Sequence, residues 1–243
     1  MQTAKEAALA YLRRKTDQNI NLLAALQGGL AKVVAAEARG CLLCTAGKVW
    51  QIAAEDTKTA LRFYEMIPTE ATMLELQETA QIEAVAERFQ PRCIETYYNA
   101  WYAGETIVLP ENDVEIRVMR LEDAELMARH YRLPGASVED RAETAAYLRG
   151  RITCGAMFGA YQKDCLVGFA GTHDEGSIGL LTVLPAYRRR GMGTYLEQVA
   201  IARALEQKRI PFGQIAPANA ASLALQHALG MTVAREQVCW MDK

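Results

Sequence analysis

The chain has 243 residues, 51% of them apolar, and a formal net charge of -2. This is enough length for two small domains and enough apolar material for their cores. The charge balance excludes the strongly basic surface of a general nucleic-acid binder, and no run reaches the roughly 18 consecutive apolar residues of a membrane span.

Near the N-terminus, Lys5, Glu6, Arg13 and Arg14 interrupt the Ala and Leu residues, unlike the unbroken apolar core of a secretory signal. A soluble, cytoplasmic protein is therefore expected. Leu9 and Leu12, then Leu22, Leu23, Leu26 and Leu30, recur at helical spacing. Asp17 is the expected N-cap of the second segment, Gly28-Gly29 its break, and Gly40 is read as stopping a helix. Cys41 to Thr45 and Val49 to Ala53 read as two strands joined at Ala46-Gly47-Lys48.

Cys41 and Cys44 have the spacing of a redox or zinc pair. No second cysteine pair or histidine cluster lies beside them, and their run is strand-like. Buried, reduced thiols are expected, as for the other four cysteines. His130, His173 and His227 have no metal-ligand spacing either, so no metal site is expected.

Asp56 can cap a helix reaching about Met66, which Pro68 ends. The stretch from Glu70 to Gly104 reads as helix-rich, with Leu74, Ile82, Val85 and Phe89. Its cluster of Tyr97, Tyr98, Trp101 and Tyr102 is expected to pack, as helical aromatics, against a neighbouring domain. Leu109-Pro-Glu-Asn-Asp113 reads as a linker, dividing the chain into a helix-rich α/β domain over 1–110 and a second domain over 114–243.

The second half begins with an edge strand over 115–121. A helix from about Glu122 to Tyr131, a turn at Pro134-Gly135 and a helix from about Val138 to Arg151 capped by Ser137 follow. Ala156 to Tyr161 and Leu166 to Thr172 form a hairpin around Gln162-Lys163-Asp164. A turn at Asp174-Glu175-Gly176 leads to a strand from Ile178 to Leu184. A helix over 191–207, a strand from Phe212, a helix from Asn219 and a last strand from Thr232 close an α/β domain with a mixed sheet.

The run from Pro185 to Gly193, Pro-Ala-Tyr-Arg-Arg-Arg-Gly-Met-Gly, joins a strand to a helix. The first turn of a helix presents unpaired amides and partial positive charge, which together bind phosphate. Gly191 and Gly193 let backbone approach a diphosphate, and Arg188, Arg189 and Arg190 supply charge-assisted hydrogen bonds. The P-loop pattern is absent, and the dinucleotide fingerprint lacks its third glycine because Leu196 stands there.

Val183, Pro185, Arg188, Gly191 and Gly193 resemble the signature of the GNAT acetyltransferases, Val-x-Pro-x-x-Arg/Gln-x-x-Gly-x-Gly/Ala. Asn219, Ser222, Leu225 and Gly230 resemble a second pattern of that superfamily, before its last strand. The resemblance covers about 114–243. The stretch from Phe169 to Gly176 is similar to the glycine N-acyltransferase-like branch, in which a degenerate half-GNAT domain precedes the catalytic one in some members.

The resemblance implies acyl transfer from acetyl-CoA to a primary amine of a small molecule or peptide. It implies that the backbone of Leu181, Thr182 and Val183 pairs with the pantetheine arm. The diphosphate is expected on the amides of Arg189, Arg190, Gly191, Met192, Gly193 and Thr194, with Asn219 and the Ser222 helix toward the thiol end. Glu175 and His173, just before the cofactor strand, are the candidate base or water-relay residues, since an ammonium must lose a proton before it attacks. The Val183 amide is the oxyanion donor that family geometry implies.

Many members carry Tyr as an acid seven residues after the Asn; here that residue is Gln226, with His227 beside it. This departure keeps open a non-catalytic acyl-CoA-binding or sensing module. Expected partners are the amine substrate and, in a homodimer, a second copy of the chain, with neither nucleic acid nor membrane.

Overall fold

The computed structural model describes residues 3–131 and 141–243. The turn at Pro134-Gly135, the Ser137 cap and the start of the helix expected from Val138 lie outside the described residues.

Helix α1 (Ala4–Leu12) opens with a capping box: the Glu6 amide donates to the Thr3 hydroxyl and the Thr3 amide to the Glu6 carboxylate, at 3.2 and 2.7 Å. Helix α2 (Ile20–Gln27) is buried from Ile20 to Leu26, and its N-cap position is Asn19 rather than Asp17. Strands β1 (Ala31–Glu37), β2 (Gly40–Thr45) and β3 (Val49–Ala54) follow. The turn between β2 and β3 holds Ala46 and Gly47 at φ of 51° and 71°. Asp56 caps helix α3 (Thr57–Tyr64) by accepting the Thr59 amide at 2.8 Å. Strand β4 (Met73–Leu76), helix α4 (Ile82–Phe89) and strand β5 (Cys93–Trp101) complete the first half.

The second half runs β6 (Glu115–Val118), α5 (Ala124–His130), α6 (Arg141–Thr153), β7 (Met157–Gln162), β8 (Cys165–Thr172), β9 (Ile178–Val183), α7 (Met192–Glu206), β10 (Phe212–Ile215), α8 (Ala220–Ala228) and β11 (Thr232–Asp242).

Three strands of the first half correct the sequence reading. Gly40 ends no helix: the residues before it form β1, and Gly40 starts β2 because a β-carbon there would fall 2.5 Å from the Ala53 carbonyl. The stretch after Glu70 holds β4 and β5 as well as α4. Tyr97, Tyr98 and Trp101 therefore stand on a strand, where aromatic side chains suit a pleated, half-buried surface.

The chain forms two compact units, Met1–Ala103 with Lys208–Lys243, and Gly104–Gln207. In the first, the strand order is β1-β2-β3-β4-β11-β5-β10, with β3 and β4 parallel and the other neighbours antiparallel. The two halves exchange strands here. β11, the last strand of the chain, lies between β4 and β5, while β5 lies between β11 and β10. One face of this sheet buries Leu42, Ile52, Leu74 and Leu76 under Phe63, Val85 and Phe89 of α3 and α4. The other buries Cys41, Leu43 and Ala53 under Leu12, Leu22 and Leu26.

The second unit is an antiparallel meander, β6-β7-β8-β9. Met127 of α5 and Leu148 and Ile152 of α6 pack against Met157, Phe169 and Leu180. Helix α7 packs on β8 and β9, close enough that a β-carbon on Gly168 would fall 3.0 Å from Leu196. The mixed α/β architecture agrees with the sequence reading, and no described helix is long and apolar enough to cross a membrane.

Candidate active site

The site begins with an irregularity in β9. Thr182 pairs with Phe169 and Gly179 with Gly171, so Leu180 and Leu181 together face Ala170. This is a β-bulge, and Leu180 takes φ of 53°, a costly value for a branched side chain. Such strain persists where surrounding structure enforces it, commonly at functional sites. Leu181 in the bulge is half-buried, and beyond it Thr182 is buried and Val183 half-buried.

The chain then leaves the sheet. Pro185–Tyr187 form a single 3₁₀ turn, and Arg188 Nε donates to the Val183 carbonyl at 3.0 Å, tying the turn to the strand end. Arg189 has φ of 62°, and the Arg190 guanidinium lies 6.0 Å from the Tyr187 ring centre. Gly191, at φ of 79°, is the N-cap of α7 and provides no side-chain cap. The 15-residue helix thus opens with first-turn amides that no capping side chain covers. A β-carbon on Gly193 would meet only Val183, at 3.8 Å, so the space before the helix end is open. Arg188, Arg189 and Arg190 are exposed around it. These residues fit a diphosphate: open amides, a helix dipole and three guanidiniums in one turn.

The second cluster lies between β8 and β9. The Tyr147 hydroxyl and His173 Nδ1 are 2.9 Å apart, with the rings stacked at 6.0 Å between centres and 30° between planes. Arg151 donates from Nε to the Thr172 carbonyl at 2.8 Å, from Nη2 to the His173 carbonyl at 3.1 Å and from Nη1 to Asp174 Oδ1 at 2.6 Å. Glu175, buried at 6% exposure, accepts a short hydrogen bond from the Ser177 hydroxyl. Burial holds the His173 imidazole below its ordinary pKa, against the opposing pull of Glu175. Burial, reinforced by the Glu175 charge, pushes the Tyr131 phenol up to about 12 and raises Tyr147 as well.

The structure therefore brings together two groups of sequence candidates in one unit. Leu181, Thr182, Val183 and residues 188–194 form the strand end and turn, and His173 and Glu175 flank the start of the same strand. Asn219 and Ser222 belong to the other compact unit. There Asn219 Oδ1 accepts the Ser222 amide at 3.1 Å as the N-cap of α8, and Gln226 is buried in that helix. Tyr147, Arg151, Ser177 and Gly179 were not singled out from the sequence. Only the side chain contacts of α6 with the turn after β8 reveal the first two. Among the described residues no group of three or more His, Cys, Asp or Glu is placed to hold a metal ion.

Residues 120–231 match the Acetyltransferase (GNAT) family model. The match spans the bulged strand, the arginine turn, α7 and α8, and it supports a GNAT superfamily acetyltransferase. No curated protein matches the chain. Among solved structures, a Drosophila protein is 18% identical with a TM-score of 0.62, over 84% of this chain and 73% of that one. A GCN5-related N-acetyltransferase from Kribbella flavida is 16% identical with a TM-score of 0.56, over 93% and 95%. A GNAT-family acetyltransferase from Colwellia psychrerythraea is 14% identical with a TM-score of 0.52, over 84% and 81%. At these identities the likeness speaks for the fold. Family match and fold are consistent with acyl transfer from CoA.

Proposed function

We propose that this protein is an N-acetyltransferase moving an acetyl group from acetyl-CoA to a primary amine of a small molecule or peptide. The observation that carries the reading is the uncapped N-terminus of α7 at Gly191, ringed by Arg188, Arg189 and Arg190 and reached directly from a bulged strand. Acetyl-CoA would supply the activated thioester. The residues of the chain would seat its diphosphate on the first-turn amides of α7 and its pantetheine arm along Leu181–Val183. Glu175 and His173 would handle the ammonium proton, and a β9 amide would donate to the negative charge that develops during attack.

The first half fits a degenerate copy of the second, as in the glycine N-acyltransferase-like branch. The order β2-β3-α3-β4-α4-β5 repeats as β8-β9-α7-β10-α8-β11. At the corresponding strand-to-helix turn, the Asp56 carboxylate caps α3 where Gly191 leaves α7 open. An acidic side chain on those amides repels a phosphate, so the first half would have no cofactor of its own.

Thermal unfolding with and without acetyl-CoA tests the reading, on wild type and Gly193→Glu. Gly193 suits the test because a side chain there meets no backbone and needs no positive φ, unlike one at Gly191. Saturation at ~100 times the dissociation constant adds about 2.7 kcal/mol of stability. A rise in wild type that Gly193→Glu lacks supports the cofactor site, and CoA release with a panel of amines then separates an enzyme from a non-catalytic binder. An unchanged wild-type midpoint at millimolar acetyl-CoA would sink the proposal.

A further inference from the structure

We infer that the open edge of β6 is a dimer interface, at which the strand pairs antiparallel with β6 of a second copy of this chain about a two-fold axis at Ile116. The pairing uses residues of the second unit alone and needs no cofactor.

Strand β6 ends the sheet, and among the described residues its strand partner is β7 alone. The register with β7 runs from Glu115↔Tyr161 to Val118↔Phe158, and the Met119 amide donates to the Met157 carbonyl at 3.2 Å. In an antiparallel ladder the backbone groups of every second residue point to the same side. Glu115 and Arg117 therefore direct theirs to β7, as Met119 does. Ile116 and Val118 turn theirs outward, to the free edge. Val118 is 55% exposed, and Leu121, just beyond the strand, is 52% exposed. Outward-facing backbone groups beside exposed aliphatic side chains are a template for another strand.

Charge decides which strand fits. Charged residues in an edge strand ordinarily block pairing. Here there are two, Glu115 and Arg117, of opposite sign and two residues apart. Consider the two-fold registers that match outward groups to outward groups. Centring on Glu115 or on Arg117 sets like charges against each other. Centring on Val114 sets Glu115 against Asp113, and centring on Val118 sets Glu115 against Leu121. Centring on Ile116 sets Glu115 of each copy opposite Arg117 of the other. On the opposite face it sets Ile116 against Ile116 and Val118 against Val114. The Glu115 and Arg117 backbones do not bond across the new seam, and such pairs are the closer kind, which brings their side chains together.

Arg117 is already in position. Its Nη1 donates to Asp164 Oδ1 at 2.8 Å and its Nη2 to Glu115 of its own strand at 2.6 Å, with the guanidinium 4.9 Å from the Tyr161 ring centre. A guanidinium held this way loses little further freedom on taking another carboxylate, and its five donors leave room for one.

Sedimentation velocity of the full chain tests the interface, over roughly 1–200 µM, the range suited to a small contact. Wild type should pass from monomer to dimer within it. Glu115→Arg sets guanidinium against guanidinium, and Arg117→Glu sets carboxylate against carboxylate. Each alone should weaken the dimer at least about tenfold. An equimolar mixture of the two variants should dimerise again, because every facing pair is then of opposite sign. Ile116→Pro removes an outward amide without touching the β7 ladder and should leave a monomer. Thermal midpoints show that each variant is folded; if Arg117→Glu is not, Glu115→Arg and Ile116→Pro decide. Wild type that stays monomeric throughout overturns the inference. A dimer that Glu115→Arg and Ile116→Pro leave intact also overturns it, because that dimer uses another surface. A mixture of the charge variants that stays monomeric overturns the register at Ile116.

Discussion

The Trp240 indole N–H donates to the Gln214 side-chain oxygen at 2.9 Å, and because an indole can only donate, this bond fixes which way round the Gln214 amide is held. Its nitrogen must then face inward, donating to Glu75 Oε1 at 2.7 Å and to Asn99 Oδ1 at 3.2 Å. Asn21 donates to the same Glu75 oxygen at 2.6 Å and Gln51 to the other at 2.7 Å. Asn99 in turn donates to Asn21 Oδ1 at 3.1 Å and the Gln18 carbonyl at 2.8 Å. Every amide in this seam points its donor the way an acceptor-only carboxylate at Glu75 requires.

Glu75→Leu should therefore be severely destabilising, although leucine fits a buried strand position. It leaves the Asn21, Gln51 and Gln214 donors without the carboxylate, and each buried unsatisfied group costs about 1–3 kcal/mol. Trp240→Phe removes one bond and releases the Gln214 orientation, for a loss of about 1–2 kcal/mol. Urea midpoints at constant slope measure both. Glu75→Leu as stable as wild type would show that the seam contributes nothing.

Much of the second half was legible in the sequence because its elements are bounded by strong local signals. The glycines and arginines of 188–193 are contiguous, so the phosphate turn could be read without knowing the fold. The first half was harder. β4 has only Met73–Leu76, too short for its periodicity to distinguish it from helix, and β1 is Ala-rich. The β5 aromatics read as a helical cluster because their fit to a pleated surface depends on the strands beside them. Those strands are β10 and β11, over a hundred residues away, and no local pattern announces an exchange at that distance. The Tyr147–His173 contact was invisible for the same reason: the pair lies 26 residues apart and meets only when α6 packs over the turn.

Acid should expose the His173 environment in stability. The folded-state pKa lies below the ordinary histidine value of 6.5, so as pH falls through about that value the unfolded chain takes up a proton that the folded chain refuses. Stability is then lost on acidification and is fully present above the unfolded pKa. Urea midpoints at about pH 7.5 and pH 5.5 should fall further in wild type than in His173→Gln, which has no ring to protonate. Equal losses in the two proteins would assign the acid sensitivity to other groups.

Gly179→Ala tests the close approach of the His173 ring. The new methyl carbon would stand 2.8 Å from His173 Nε2, so the imidazole must move from the strand or the strand from the ring. Overpacking of this kind costs about 1–3 kcal/mol. The substitution should lower the thermal midpoint and broaden or shift the NMR signals of the His173 ring. Double substitution with His173→Ala should recover most of the stability, because the clash needs both side chains. Additive losses in the double variant would place the strain elsewhere.

The exchanged strands make a strong demand on folding. β5 pairs with β10 through Phe212↔Trp101 to Ile215↔Tyr98 and with β11 through Asp242↔Cys93 to Thr232↔Trp101. A fragment containing only residues 104–243 keeps the whole family-matched segment but loses β4 and β5, which strips β11 of both its partners and β10 of its pairing with β5 and exposes Phe212 and Val238, buried in the intact chain. Open edges of that kind invite aggregation. The fragment should be insoluble or should lack dispersed NMR signals when made alone. Co-expression with residues 1–103 should recover a soluble complex, because the missing strands are restored without a covalent link. A fragment of 104–243 that is soluble, cooperatively folded and stabilised by acetyl-CoA would show that β4 and β5 are dispensable, and the strand exchange would then lose its role as the element that joins the two halves into one folding unit.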